Sequence, residues 1–454
     1  MPTYEDQLFP CCARYYTGAD SNSIGTSLRT RSRLGVFLVW FLFSSLHGVN
    51  AQTSKPEILS PRLAALQQGI TKDRSGALSL FWEEVAGHAP LIEPYPADNR
   101  LVLLTYIWRG SQSSSVGVMG DVPIDSSYGL QRLEDTDVWF RTERIPKDAR
   151  FGYLLCDNLK GCAKDPLNPK WWNAIGRSVV ELPDAPSEPW ITVNSAVPQG
   201  RLTMQKLDSK ILGEERPIAV YTPPGFAKGN GPYNLLIVFD GQGYGIDKNS
   251  PIPTPTILDN LISHVEISPT VAILVSNIDQ QHRNRDLACY TPFSDFLAKE
   301  LVPWAASSYQ AGAEPSRTVV AGSSLGGLAA GCAGFRHPEV FGNVLSQSGT
   351  YAYSPDSAVG ENSYFLSESN WLAQEISLRG RVPLRFYLSI GRLEGGAASS
   401  GLLENRRLRD VLTASGVQVT YHEYTGSHDA LTWRDSIADG LIVLLGSQRF
   451  ENLR

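Results

Sequence analysis

Three things are scarce in this 454-residue chain, and each scarcity removes a class of protein. Positive charge is the first. Forty Lys and Arg stand against 46 Asp and Glu, and no run of basic residues stands out. A net charge of −6 argues against nucleic acid as a main partner, because binding phosphates needs a basic face. Long apolar runs are the second. The longest, Leu34 to Leu46, falls short of the roughly 20 residues a membrane-spanning helix needs. Repetition is the third: there is no internal repeat, which sets aside solenoid and propeller architectures. What remains is ordinary globular material, with 42% hydrophobic and 19% charged residues, in a chain long enough for two domains.

The short apolar run has its own meaning. Arg29, Arg31 and Arg33 precede it, and the small residues around Val49-Asn50-Ala51 follow it. A basic start, an apolar centre and a small-residue end make an export signal, with cleavage expected near Ala51. A retained anchor is the alternative. No stable membrane span is expected, and the product is expected to be periplasmic or secreted. Beyond the leader the chain keeps Cys156, Cys162, Cys289 and Cys332. Four cysteines allow three pairings, and in an oxidising compartment Cys156 and Cys162 are placed to close the loop "CDNLKGC".

Past residues 1–51 the chain divides into two compositional zones. Residues 52–190 open on a helical lead-in, with Leu63, Leu66 and Ile70 at helical spacing. Short alternating or aromatic runs follow, such as "LVLLTYIWRG" and "ARFGYLLCDN", separated by Gly, Pro, Ser and Asp. They predict antiparallel strands in a small β-sandwich. The proline-rich stretch Glu181–Trp190 predicts a linker. Residues 191–454 alternate strand candidates ("IAVYTP", "NLLIVFD", "TVAILVSN", "RTVVAGS", "NVLSQSG", "LRFYLSIG", "QVTYHEY") with helical patterns. Several of the strands are apolar throughout, as in a parallel sheet covered by helices on both faces, an α/β domain.

The stretch "VVAGSSLGGL" in that second zone raises a choice between a packing turn and a nucleophile. Gly322-Ser323-Ser324-Leu325-Gly326 is G-x-S-x-G between a strand and a helix. In such an elbow the glycines permit a strained turn that lifts Ser324 above the sheet, with a helix N-terminus behind it. A serine nucleophile needs a base. Of seven histidines, only His428, in "YTGSHDALTWRD", stands in a loop just after the last strand. Glu394 follows the strand "LRFYLSIG" and lies between Ser324 and His428, completing the chain order serine, acid, histidine. Asp429 adjoins the base, but a neighbouring side chain rarely reaches its own histidine's far nitrogen. For the oxyanion, the N–H of Leu325 is one candidate donor, and Gly241 or Gln242 in "FDGQGYG" supplies the other. Such a triad needs no cofactor and no metal.

At this point the segments "RTVVAGSSLGGLAAGCAGFRHPEVFGNVLSQSG", "FDGQ", "NIDQQHRNRDL" and "GSHDALTWRD" resemble the enterochelin (enterobactin) esterases, in the esterase-D-like group of α/β-hydrolases. "FWEEVAGHAPLIEP", "DTDVWFRTERIP" and "DPLNPKWWN" extend the resemblance to the first zone, so that it spans about residues 75–450. The resemblance implies an α/β-hydrolase domain preceded by a sandwich domain. It implies nucleophile, base and acid at Ser324, His428 and Glu394. It also implies that Arg283 helps hold an anionic catecholate, with a structural salt bridge as the alternative, and Tyr244 joins it as a candidate substrate contact. Gly243 stands where relatives carry a bulky aromatic, which predicts a more open ligand wall. The expected substrate is a small-molecule ester, a catecholate siderophore or its ferric complex. Two other readings remain: a feruloyl- or acetyl-type carbohydrate esterase whose sandwich binds glycan, and a non-catalytic ligand-binding protein on a hydrolase scaffold. Trp108, Trp139, Trp171 and Trp172 are candidates for lining a ligand cavity or for packing the core.

Overall fold

Four strands in the second half are buried from end to end, and they set the architecture. A computed structural model describes residues 58–120, 129–355, 370–394 and 401–446. The leader and its expected cleavage point at Ala51 lie outside these residues. Among the described residues no helix is long and apolar enough to cross a membrane.

The first part opens with helices α1 (Pro61–Ile70) and α2 (Arg74–Val85), each started by a side chain that accepts from the first turn, Ser60 and Asp73. Nine strands follow: β1 (Leu91–Pro94), β2 (Leu101–Arg109), β3 (Val116–Met119), β4 (Gly129–Arg132), β5 (Val138–Pro146), β6 (Arg150–Asp157), β7 (Gly161–Ala163), β8 (Trp171–Trp172) and β9 (Arg177–Glu181). They pair antiparallel in the order β1-β2-β5-β4-β3-β6-β9-β8, with β7 beside β6. The order folds over on itself, so that β2 and β6 face each other across one core. Val102, Leu104, Tyr106 and Trp108 pack there against Phe151, Tyr153 and Leu155, with the Tyr106 and Tyr153 rings 5.1 Å apart. The opposite face of β2 and β5 presents Ile107, Val138 and Phe140 to Leu63, Leu66 and Phe81 of the two helices. The helical lead-in thus covers the outer face of the sandwich.

The second part is an eight-stranded sheet of β10 (Arg201–Ser209), β11 (Glu214–Thr222), β12 (Asn234–Val238), β13 (Thr270–Val275), β14 (Thr318–Ser323), β15 (Asn343–Gln347), β16 (Arg385–Gly391) and β17 (Gln418–Tyr424), in the order β10-β11-β13-β12-β14-β15-β16-β17. All pairs are parallel except β10 with β11 and β11 with β13. All seven expected strands form. β10 was not expected, because "RLTMQKLDS" is half polar and pairs with one neighbour only. Helices α3 (Thr254–Ser263), α4 (Gln280–Leu287), α5 (Thr291–Phe296), α6 (Val302–Tyr309), α7 (Leu325–Arg336), α8 (Trp371–Arg379), α9 (Gly401–Ala414) and α10 (Ala430–Leu445) accompany the sheet. One continuous helix over "FSDFLAKELVPWAASSY" is replaced by α5, a π-turn at Leu297–Leu301 and α6, with Pro303 just beyond the wide turn. A proline inside a helix removes a hydrogen bond and pushes on the preceding turn.

Two apolar cores lie on the two faces of this sheet. Val320, Val344 and Ile237 point to one, and Val319, Leu345 and Val238 to the other. The chain runs from β12 outward to β13 on one side and to β14 on the other. The carboxyl ends of β12 and β14 therefore meet where the strand order reverses, the place at which open α/β sheets build their sites. The linker region is not loose: Glu188 is bound by Arg434 and Arg150, and the carbonyls of Trp190 and Thr192 accept from Asn260.

Candidate active site

At the carboxyl rim of the sheet, three successive strand ends turn through positive φ without glycine: Asp240 (54°), Ser324 (57°) and Ser348 (49°). Such conformations cost on the order of 1–3 kcal/mol each and persist only where the surroundings enforce them. For Ser324 the enforcement is visible. Its N–H donates to the carbonyl of Gln347 at 2.9 Å, and its own carbonyl accepts from Leu328 at 3.2 Å and from Thr350 at 3.1 Å. The two glycines of the elbow differ in necessity. A Cβ on Gly322 would stand 2.6 Å from the carbonyl carbon of Gly326, inside any tolerable contact. A Cβ on Gly326 would meet nothing closer than 3.6 Å. Packing and chemistry coincide here, because the same turn that lets α7 lie against β15 presents Ser324. Its Oγ lies 3.5 Å from Oγ1 of Thr350.

His428 and Glu394 come from the ends of β17 and β16, and the structure brings them together. Nδ1 of His428 stands 2.7 Å from Oε2 of Glu394. Oε1 of the same carboxylate accepts from the Gly391 N–H at 2.8 Å and from the Ser348 hydroxyl. A carboxylate can only accept, so Nδ1 carries the proton and Nε2 is the basic nitrogen of the neutral ring. Glu394 is buried, 6% exposed, so its orientation is fixed by these three donors rather than by solvent. Two further residues take part that the sequence had not marked. Trp433 sets its ring edge-to-face with His428, centroids 5.0 Å apart, and its Nε1–H donates to Oγ of Ser348 at 2.9 Å. Ser348 lies in the strand end "SQSG" and Trp433 in the helix after the base. The register of β15 beside β16 puts Ser348 on the acid, and α10 brings Trp433 to Ser348 and to the base.

The oxyanion candidates separate. The N–H of Gly241 donates to the carbonyl of Val275 at 3.0 Å, so it is committed to the sheet and is not an oxyanion donor. Among the described residues no acceptor takes the N–H of Gln242 or of Leu325, the first residue of α7. Gln242 is anchored by its side chain, which donates to the carbonyl of Asn277 at 2.8 Å and accepts from its N–H at 3.3 Å.

Two expected substrate contacts are corrected. Arg283 is 4% exposed and grips Asp240 with Nε at 2.7 Å and Nη2 at 2.9 Å, while Asn277 also donates to that carboxylate. The salt-bridge alternative is the one realised: Arg283 holds the turn after β12 from beneath. Tyr244 is fully buried, and its hydroxyl donates to Oε1 of Gln347 at 2.8 Å. Burial pushes its phenol well above the usual range. The four tryptophans divide. Trp108 and Trp139 are core residues whose indole N–H groups bond Asp157 and the Gly110 carbonyl. Trp171 and Trp172 are half-buried and line a cavity of about 310 Å³ between the two parts, beside Lys170, Leu431 and Arg434. Cys156 is disulfide-bonded to Cys162, across the β6–β7 pair, and Cys289 to Cys332.

Comparison with known proteins follows the same division. A family model described as "Putative esterase" matches residues 209–444, more than half the chain, and one described as "Enterochelin esterase, N-terminal" matches residues 103–191. An iron(III) enterobactin esterase of Dickeya dadantii is 29% identical over 419 residues, covering 80% of this chain and 92% of its own. An iron(III) salmochelin esterase of Escherichia coli is 26% identical, covering 85% and 98%. Among solved structures, the enterobactin esterase of Shigella flexneri crystallised in the presence of enterobactin superposes with a TM-score of 0.63 at 25% identity, covering 80% of this chain and 97% of that one.

Proposed function

Because the chain belongs to the enterochelin esterase family of α/β-hydrolases and is a carboxylic-ester hydrolase, we propose that it cleaves the ester (lactone) bonds of a catecholate siderophore, such as enterobactin or its ferric complex, for iron acquisition. One observation carries the mechanism: the buried Glu394–His428 pair fixes the imidazole with Nδ1 protonated, on the sheet rim where the elbow presents Ser324. Ser324 Oγ attacks the ester carbonyl while Nε2 of His428 takes its proton. The tetrahedral oxyanion lies against the N–H groups of Leu325 and Gln242, at the positive end of α7. His428 then returns the proton to the departing hydroxyl, and water clears the acyl-enzyme by the same route. Iron enters with the substrate and takes no part in these steps.

The choice of ester rests on the relatives, whose likeness runs through the first part of the chain as well as the hydrolase sheet. A glycan-ester reading leaves that N-terminal match without a role. Export belongs to the same proposal. It is supported by the basic-apolar-small leader and by the two disulfides, which persist in oxidising compartments. The test is incubation of the purified protein with ferric and iron-free enterobactin, followed by mass spectrometry. Stepwise water additions that vanish in Ser324→Ala are expected. An intact trilactone alongside hydrolysis of aryl-sugar esters would overturn the substrate, and unchanged turnover in Ser324→Ala would overturn the mechanism.

A further inference from the structure

Among the described residues, strand β6 pairs with another strand on one of its sides over its later half only. Its later half, Leu154 to Asp157, pairs with β3, and its first half, Arg150 to Tyr153, pairs on the other side with β9. Beyond the described end of β3, the N–H groups of Arg150 and Gly152 turn to the histidine loop of the second part. The carbonyl of Thr425 accepts from Arg150 at 3.2 Å, Gly426 forms a bridge with Arg150, and Oδ2 of Asp429 accepts from Gly152 at 2.9 Å.

The acid loop is tied to the same place. Leu393, the residue before Glu394, is 6% exposed and belongs to the sandwich core with Val102, Tyr106 and Phe151. The two loops also hold each other, through Arg392 N–H to the Tyr424 carbonyl at 2.7 Å and Leu393 N–H to the Gly426 carbonyl at 3.0 Å. Both neighbours of the proposed acid–base pair, Leu393 and Asp429, therefore point away from the reaction and into the first part of the chain. Asp429 is the more informative. Its Oδ1 starts α10 by accepting from Leu431 and Thr432, while Oδ2 serves Ser427 and Gly152.

We infer that the sandwich is a positioning element for the catalytic pair: through Gly152 on Asp429 and its core on Leu393, it sets the register of His428 against Glu394. Asp429 and Leu393 are positioning residues, and turnover, not substrate capture alone, depends on the docked sandwich. The inference rests on the proposed triad.

The test uses p-nitrophenyl acetate, an ester too small to need a binding surface on the sandwich. In Asp429→Asn the remaining oxygen keeps the helix start, while the amide nitrogen turns a donor toward the Gly152 N–H and breaks the tie between the parts; the Ser427 hydroxyl, which donated to the same oxygen, can rotate to accept from the amide. Expected are a fall in kcat, and in the rate at which a fluorophosphonate labels Ser324, of about 100-fold, the scale of an ångström-sized misplacement. KM should stay within about twofold, at a temperature where melting curves show the variant folded. Leu393→Ala makes the same measurement from the acid's side and keeps the test open if Asp429→Asn does not fold. A kcat within about threefold of wild type in either folded variant overturns the inference, even if affinity for the siderophore falls, because a binding surface would do that alone. Full turnover in Ser324→Ala is a different failure: it removes the triad and this inference with it.

Discussion

Replacing Glu394 by glutamine tests the proposed triad at the point where the geometry is most demanding. The carboxylate serves three donors on two oxygens: Gly391 N–H and the Ser348 hydroxyl on one, and Nδ1–H of His428 on the other. An amide has one oxygen and one NH2 group, so one side must change. If the NH2 faces Gly391, a buried backbone N–H loses its acceptor at a cost of about 1–3 kcal/mol. If it faces His428, the ring accepts the new hydrogen bond by moving its proton to Nε2, an adjustment open to any neutral imidazole. The second arrangement wins, and it leaves the proton on the nitrogen that must receive one from Ser324. A triad locked in the wrong tautomer loses about four orders of magnitude in kcat, or about 5 kcal/mol of transition-state stabilisation. Steady-state hydrolysis of p-nitrophenyl acetate reads the rate, with a fluorophosphonate count of competent sites. Nitrogen-15 NMR of the imidazole reads the tautomer, expected as Nδ1–H in wild type and Nε2–H in the variant. A variant that keeps more than a tenth of wild-type kcat, or whose ring still carries its proton on Nδ1, would refute the reasoning.

Two predictions concern stability. Gly322→Ala should destabilise by about 1–3 kcal/mol or more, because its Cβ meets the Gly326 backbone, whereas Gly326→Ala should be neutral or raise stability by up to about 1 kcal/mol. Denaturant melts that rank the two the other way would show that the elbow relaxes freely. Asp435 is pushed up to about 7, first by burial and then by Asp439 and Glu188, against opposing pulls from Arg150 and Arg434. Its ionisation is resisted in the fold and not in the unfolded chain, so the contribution of this one group to stability falls as pH rises from about 4 to about 7 and is not recovered above it. Asp435→Asn should therefore exceed wild type by on the order of 2–4 kcal/mol at pH 8 and match it near pH 4. A difference in melting that is independent of pH would count against the burial argument.

Much of the catalytic sheet was legible without a structure. Runs such as "NLLIVFD" and "TVAILVSN", whose strands are buried from end to end, cannot be mistaken for surface, and the elbow, the loop histidine and the intervening glutamate follow from the order of the strands along the chain. Pattern reading fails where one feature serves an edge or a neighbour. The strand "RLTMQKLDS" is half polar because only one partner covers it. Gly241 and Gln242 look equivalent in "FDGQGYG", yet the sheet claims the N–H of the first. Arg283 and Tyr244 sit in motifs that face a ligand in outline, but both are buried and hydrogen-bonded beneath the rim.

By itself, then, the order of residues determined the class of fold, the two-part organisation and the identity of nucleophile, base and acid as candidates, because local periodicity and chain order are properties of one dimension. Only the tertiary structure decided what surrounds them. Ser348 reaches the acid, Trp433 reaches Ser348 and the base, Asp429 turns from the histidine beside it to the first part of the chain, and Leu393 enters a core built some 210 to 290 residues earlier. Those contacts depend on strand register and on the docking of one sheet edge against two loops, and separation in sequence carries no trace of either.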